Sequence, residues 1–120
     1  MSTSILLKDS LLLIWNNRNA AERLILMDKI YSSDIKFYED NNSEPITGHE
    51  SINNLIQNLQ KDWPSDFEFT IKEDPKINHN LQKISWHLGS KGSAPVAAGT
   101  DIALIKNGKI ESLYLFLETK

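Results

Sequence analysis

The sequence predicts an α+β fold in which three helices on the N-terminal side pack against a mixed, mostly antiparallel sheet. The expected order is α-α-β-α-β-β-β-β. Three observations carry this. Helical periodicity is concentrated before Trp63-Pro64. Apolar/polar alternation dominates from Phe67 onward. Asn107-Gly108 lies between two β-favouring runs, the strongest short signal for a two-residue hairpin, because a type I′ turn needs positive φ twice. Helices first and antiparallel strands last is an α+β pattern.

Residues 5–16 carry Leu7, Leu11, Ile14 and Trp15 at helical spacing, with Ser2, Thr3 or Ser4 available as N-cap. The run Asn16-Asn17-Arg18-Asn19 ends that helix, since short polar side chains compete for backbone hydrogen bonds. Asn19 followed by Glu22 resembles a capping box. It opens a second helix with the stripe Ala20, Leu24, Met27 and Tyr31, widened by Ala21, Ile25 and Ile30. Two short apolar helices in tandem need a shared surface to cover. Ser32-Ser33 breaks the second one, and residues 34–39 alternate as a strand. Ile35, Phe37 and Glu39 share one face; Lys36, Tyr38 and Asp40 share the other. The apolar pair selects the inner face and takes Glu39 with it. Asn41 to Pro45 is a loop by composition.

Thr47-Gly48-His49-Glu50 reads as a capping box, with Thr47 at the N-cap and Glu50 at N3. The helix it opens has the cleanest period in the chain: Ile52, Leu55, Ile56, Leu59 and Trp63. Pro64 ends it. Residues 67–72 then alternate as a half-buried strand, and Pro75 with the polar stretch to Asn80 separates it from a strand over 83–88. Ile84, Trp86 and Leu88 form the apolar face of that strand, and residues 89–95 lead into the last hairpin. There is no internal repeat or linker, so residues 1–120 are expected to form a single domain.

Counting outward from Asn107-Gly108 pairs Lys106 with Lys109, Ile105 with Ile110, Ala103 with Ser112, Asp101 with Tyr114 and Gly99 with Phe116. In this register Gly99, Asp101, Ala103, Tyr114 and Phe116 share a face. Thr100, Ile102, Leu104, Leu113, Leu115 and Leu117 share the other. A carboxylate and a phenol would therefore sit side by side among apolar neighbours. The helices can cover only one apolar face. The other, carrying Ile102, Leu104, Leu113, Leu115 and Leu117, is expected to be the seam of a homodimer.

Composition excludes several classes. A net charge of −3 without clustered Lys and Arg argues against nucleic acid as a partner. The absence of cysteine removes disulfides, thiolate metal sites and a cysteine nucleophile. His49, His79 and His87 are scattered without a ligand spacing, so no metal site and no cofactor are expected. Lys8 and Asp9 interrupt the first apolar run, which has no basic region before it, and no segment approaches the ~20 apolar residues of a membrane span. No membrane partner is expected, and a cytoplasmic location is.

Thr-Gly-His-Glu-Ser-Ile at 47–52, then Trp86, Gly99-Thr100-Asp101 and Asn107-Gly108-Lys109-Ile110, resemble the nuclear transport factor 2-like superfamily, most closely its SnoaL-like, polyketide-cyclase-like branch. The resemblance spans nearly the whole chain. It implies a cone: helices on a strongly curved sheet with a pocket between them, often dimeric through the sheet's outer face. The superfamily includes steroid isomerases, polyketide cyclases, epoxide hydrolases, dehydratases and non-catalytic members, so it implies the place of a site rather than its chemistry. Counting back from Gly48, Glu39 occupies the place of the general-base aspartate of the more distantly similar ketosteroid-isomerase-like branch. Asp101 occupies the place of its protonated aspartate, the established example of a carboxylic acid kept neutral by an apolar site. Glu39 is one methylene longer than that base, and the branch's first-helix tyrosine has no counterpart among Leu11 to Trp15.

The candidate catalytic residues are accordingly Asp101, Glu39 and Tyr114. Glu39 would remove a proton next to a carbonyl, while Asp101, assisted by Tyr114, stabilises the oxyanion. Trp15, Phe37, Leu55, Leu59, Phe69, Trp86, Ala103 and Phe116 are the expected pocket walls for a small apolar organic ligand. His49, in the first turn of its helix, is expected to be scaffolding. The competing reading is a non-catalytic ligand-binding or dimerisation module, in which Asp101 and Tyr114 only satisfy each other.

Overall fold

A computed structural model describes residues 5–118. The expected N-cap candidates Ser2, Thr3 and Ser4 lie outside the described residues; α1 (Leu6–Asp9) starts after Ile5, without a side-chain cap. It runs directly into a π-helical segment, Ser10–Trp15. Leu7, Leu11 and Ile14 are buried along it. In α2 (Ala20–Ile30) the Asn19 side chain caps the Glu22 N–H at 2.9 Å, as its sequence suggests. Its buried face is turned from the expected one, however. Arg23, Met27 and Ile30 point inward, while Ala20, Ala21 and Ile25 are exposed.

The sheet has six strands: β1 (Tyr31–Tyr38), β2 (Ile46–Thr47), β3 (Phe67–Asn78), β4 (Leu81–Ser90), β5 (Ala97–Lys106) and β6 (Lys109–Leu117), ordered β2-β1-β6-β5-β4-β3. All neighbours are antiparallel except β1 and β6. The architecture is the expected α+β arrangement, with one strand more than expected. Tyr31, at helical spacing with Met27, instead opens β1, because it pairs with Ile110. Thr47 is not a cap: it pairs with Lys36, and α3 (His49–Lys61) starts after Gly48, whose φ of 90° suits glycine. His49 anchors this junction, with Nε2 2.9 Å from the Ser32 carbonyl oxygen and Nδ1 3.4 Å from Asp28. Pro75 does not end β3. That strand lies at the sheet edge, where a residue without an N–H is tolerated.

The last hairpin departs most from expectation. Asn107 and Gly108 both have positive φ, 54° and 78°, and the first two pairs form as counted. Between Leu104 and Ile105 the register then shifts, with one extra residue on β6. Beyond this bulge Ala103 pairs with Leu113, Ile102 with Tyr114, Asp101 with Leu115 and Gly99 with Leu117. One extra residue turns every following side chain to the opposite face. Leu113, Leu115 and Leu117 therefore face inward with Asp101, and are not the outer seam. Tyr114 and Phe116 face outward with Ile102 and Leu104, and are not beside Asp101. Tyr114 stacks on Tyr38 of β1, ring centroids 4.5 Å apart and planes within 5°.

The core lies between the helices and the inner sheet face. Leu7, Ile14, Met27, Ile52 and Ile56 meet Ile35, Ile84, Ala103, Ile110 and Leu113, all at most 1% exposed. A polar cluster sits between α2 and α3. The Arg23 guanidinium has no exposure, and it donates to Asn53, Gln57, Gln60 and the Asn17 carbonyl at 2.5–2.9 Å. Among the described residues no helix is long and apolar enough to cross a membrane.

Candidate functional site

Toward the open end of this core, a cavity of about 200 Å³ separates helices from sheet. Its helical side is made by Leu11, Trp15, Leu55, Leu59 and Trp63, and its sheet side by Phe37, Phe69, Trp86, Leu88, Ala97, Leu115 and Leu117. Two carboxylates complete the lining, Asp101 and Glu39. Of the expected walls, Trp15, Phe37, Leu55, Leu59, Phe69 and Trp86 thus lie on the cavity. Ala103 is on the inner face but fully buried in the core, and Phe116, 60% exposed, is on the outer face because of the β6 bulge. Leu11, Trp63, Leu88, Ala97, Leu115 and Leu117 are additional. Trp63 and Leu88 continue apolar stripes visible in the sequence, whereas Leu115 and Leu117 required the bulge.

Asp101 is placed by three strands. On β5 it pairs with Ile84 of β4 on one side and Leu115 of β6 on the other. Two residues along each strand, on the same face, Trp86 pairs with Gly99. The Trp86 indole lies over Gly99, so closely that a Cβ there would be 2.7 Å from Trp86 Cζ2. Glycine is required for this approach, and it lets Trp86 Nε1–H donate to Asp101 Oδ1 at 3.1 Å. Burial pushes the Asp101 carboxyl up to about 7, against the opposing pull of that hydrogen bond. Near neutrality the group is divided between its acid and its carboxylate.

Glu39 follows the last residue of β1 and is exposed, at the cavity mouth. The next residue fixes the chain's exit: Asp40 Oδ1 accepts from the Asn42 and Ser43 N–H groups at 2.8 Å. These hydrogen bonds hold the Asp40 carboxyl below its ordinary value. The two carboxylates lining the cavity, Asp101 and Glu39, thus sit in unlike surroundings, one enclosed and one wet.

A second buried group was hidden in the sequence. The Tyr31 hydroxyl, fully buried, is 2.5 Å from Ser10 Oγ and accepts from Trp15 Nε1 at 3.1 Å. Burial pushes this phenol up to about 12, and the Asp101 charge adds to the effect, so it stays protonated. Trp15 therefore directs its N–H at Tyr31 and away from the cavity. Tyr114, by contrast, is exposed and contributes nothing to the Asp101 site.

A larger hollow of about 690 Å³ runs along the outer side past Tyr38, Asn41, Tyr114 and Phe116. It is a surface groove that the exposed Glu39 and Asp40 also line, whereas the smaller cavity has Asp101 on its wall. Among the described residues no cluster of three His, Asp or Glu side chains could hold a metal ion.

No protein-family model matches the sequence, and no curated protein matches it. Solved structures do match. A SnoaL-like family protein from Agrobacterium tumefaciens, proposed to be an isomerase, is 22% identical with a TM-score of 0.82, covering 95% of each chain. A proposed SnoaL-like polyketide cyclase from Jannaschia is 11% identical with a TM-score of 0.73, covering 98% of this chain and 91% of that one. A protein with a ketosteroid isomerase-like fold from Catenulispora acidiphila, in complex with trimethylamine, is 14% identical with a TM-score of 0.73, covering 96% and 86%. At these identities the likeness is one of fold: the chain has the SnoaL-like, nuclear transport factor 2-like fold.

Proposed function

We propose that the protein binds a small, largely apolar organic molecule in the cavity between helices and sheet, and acts on it by cofactor-independent acid–base chemistry of isomerase, cyclase or hydratase type. The observation that carries this reading is Asp101, a carboxyl poised near neutrality on an otherwise aromatic and aliphatic wall. Buried acids cost stability in a merely structural role, so their presence in a cavity points to use. In the reaction, Glu39 at the mouth removes a proton from carbon next to a carbonyl. Protonated Asp101 donates to the oxygen on which charge develops, and Glu39 returns the proton. Trp86 holds Oδ1, which leaves Oδ2 to carry the donated proton. Tyr114 has no part in this version.

Size limits the ligand. About 200 Å³ is below the roughly 300–1,000 Å³ of drug-sized sites, so a steroid or tetracyclic polyketide would not fit without opening the cavity. The trimethylamine held by the Catenulispora protein of the same fold is a molecule of compatible scale. Carboxyl NMR titration tests the acid–base reading: the Asp101 carboxyl is expected to titrate near 7. An Asp101 titration in the ordinary carboxylate range would remove it.

Binding without turnover is the second reading, and one observation favours it. With Trp15 Nε1–H committed to Tyr31, Asp101 is the principal donor the inner wall offers a developing oxyanion. Turnover of any small carbonyl compound that is lost in both Asp101→Asn and Glu39→Gln would decide for the enzyme. Self-association is a further part of the proposal, through the outer face where Ile102, Leu104, Tyr114 and Phe116 now lie. A Phe116→Glu protein that keeps the native protein's sedimentation mass would remove it.

A further inference from the structure

If the cavity is a ligand site, as proposed above, its walls also bear on the class of ligand. Five aromatic side chains reach the cavity: Trp15, Phe37, Trp63, Phe69 and Trp86. They meet one another steeply, not in parallel. Trp15–Phe37, Trp15–Phe69, Trp63–Phe69 and Phe69–Trp86 have centroids 5.5, 6.2, 5.8 and 5.0 Å apart and interplanar angles of 62°, 87°, 72° and 86°. Parallel rings would make a slot for a flat molecule; rings set at steep angles make a box for a compact one. The charges within this box have one sign. Asp101 and Glu39 line it, and among the described residues no lysine, arginine or histidine does.

We propose that the cavity takes a small alkylammonium ion, a tertiary or quaternary amine bearing methyl-sized groups, with Asp101 as its counter-ion. Three features converge on this class. Aromatic faces attract a cation through their quadrupoles, by up to about 2 kcal/mol where water is excluded. The enclosed carboxylate has one neutral donor, Trp86, and among the described residues no positive partner, which such a ligand supplies. The volume corresponds to roughly six or seven waters, a fit for a compact headgroup.

Protonation obeys the same arrangement. A tertiary amine entering as the free base takes the Asp101 proton onto its nitrogen, leaving an ammonium–carboxylate pair and no net change in charge. A quaternary ion has no such proton to take, so it binds the ionised form and is held more tightly as the pH rises through the Asp101 transition. The other groups facing Asp101 do not interfere: Glu39 adds charge of the same sign at the mouth, and the Tyr31 phenol behind it stays protonated.

Calorimetric titration of the whole protein with choline and with its uncharged carbon isostere, dimethylbutanol, tests this. Choline should bind at least about tenfold tighter at about pH 8. Its affinity should weaken several-fold at about pH 6, where Asp101 carries its proton. The preference should vanish in Asp101→Asn. Equal binding of the two probes, or a choline affinity that ignores both pH and Asp101→Asn, would overturn the cation assignment and leave an apolar ligand site standing. Binding of neither probe to the folded protein would overturn the ligand-site reading, and this proposal with it.

Discussion

Two of the ionisable side chains enclosed in this small domain, Arg23 and Asp101, are treated in opposite ways. Arg23, between α2 and α3, directs its guanidinium at four neutral oxygens, from Asn17, Asn53, Gln57 and Gln60. Asp101, between sheet and helices, receives one hydrogen bond from Trp86 and otherwise faces a cavity. Burial lowers the Arg23 pKa from its ordinary value, yet a guanidinium so well supplied with acceptors remains charged. Burial of Asp101 brings its transition to about 7. A buried charge whose hydrogen bonds are filled by the protein is structure. One whose bonds are left open is free to meet a ligand.

The largest expected effect comes from emptying the filled cluster. Arg23→Met strands two buried acceptors, Asn53 Oδ1 and Gln60 Oε1, and should cost roughly 2–5 kcal/mol in chemical denaturation, while leaving the Asp101 titration in place. A loss under about 1 kcal/mol would show that the cluster is not structural and would break the contrast. Asp101→Asn should act in the opposite direction. Because the folded state holds the Asp101 proton more tightly than the unfolded chain, stability falls as the pH rises from the ordinary carboxyl value of 3.8 to about 7, then levels off. The shift corresponds to at most roughly 4 kcal/mol, and to about 2 where cavity water screens the charge. The asparagine variant should therefore be more stable above neutrality by about 2 kcal/mol and should lose most of this slope. A variant no more stable than the native protein at about pH 8 would mean that Asp101 is already well solvated.

The same contrast separates what could be read in the sequence from what could not. Local signals were legible. Asn107-Gly108 set the turn, Asn19 and Glu22 the α2 cap, and the Ile52–Trp63 stripe one wall of the cavity. Glu39 and Asp101 were both placed on the inner side. The Arg23 cluster was not anticipated, because one arginine on an apolar helix reads as surface until its acceptors are known. Those acceptors do leave a trace in α3, where Asn53, Gln57 and Gln60 recur at helical spacing. The β6 bulge was harder. Tyr114 and Phe116 are as apolar as Leu113 and Leu115, so alternation could not say which set faced inward. Only the structure reveals it: Ile110 and Leu113 are both buried although three apart, a spacing that a regular strand does not allow.

A smaller perturbation acts on the support beneath Asp101. Gly99→Ala puts a Cβ 2.7 Å from Trp86 Cζ2, and the indole must move. An overpacking cost of about 1–3 kcal/mol is expected. Weakening the Trp86 hydrogen bond also removes the influence that lowers the Asp101 pKa, so its transition should shift above about 7. Tryptophan emission and the carboxyl titration would then change together. If the titration stayed put while stability fell, Gly99 would be a packing residue alone.

The smallest expected effect is the most decisive for register. With a straight hairpin Tyr114 would sit beside Asp101, and removing its hydroxyl would disturb the acid. With the bulge, Tyr114 pairs with Ile102 and stacks on Tyr38 across the sheet's outer face. Tyr114→Phe keeps the stacked ring and removes only an exposed hydroxyl, so stability should change by less than about 0.5 kcal/mol. The Asp101 transition should not move. Tyr31→Phe is the matched control: it strips a fully buried hydroxyl from Ser10 and Trp15 and should cost about 1–2 kcal/mol. It also frees the Trp15 N–H, which would then have the cavity as an outlet. A Tyr114→Phe protein whose Asp101 titration shifts, beside a Tyr31→Phe protein that is unaffected, would place the phenol partner of Asp101 back on the hairpin.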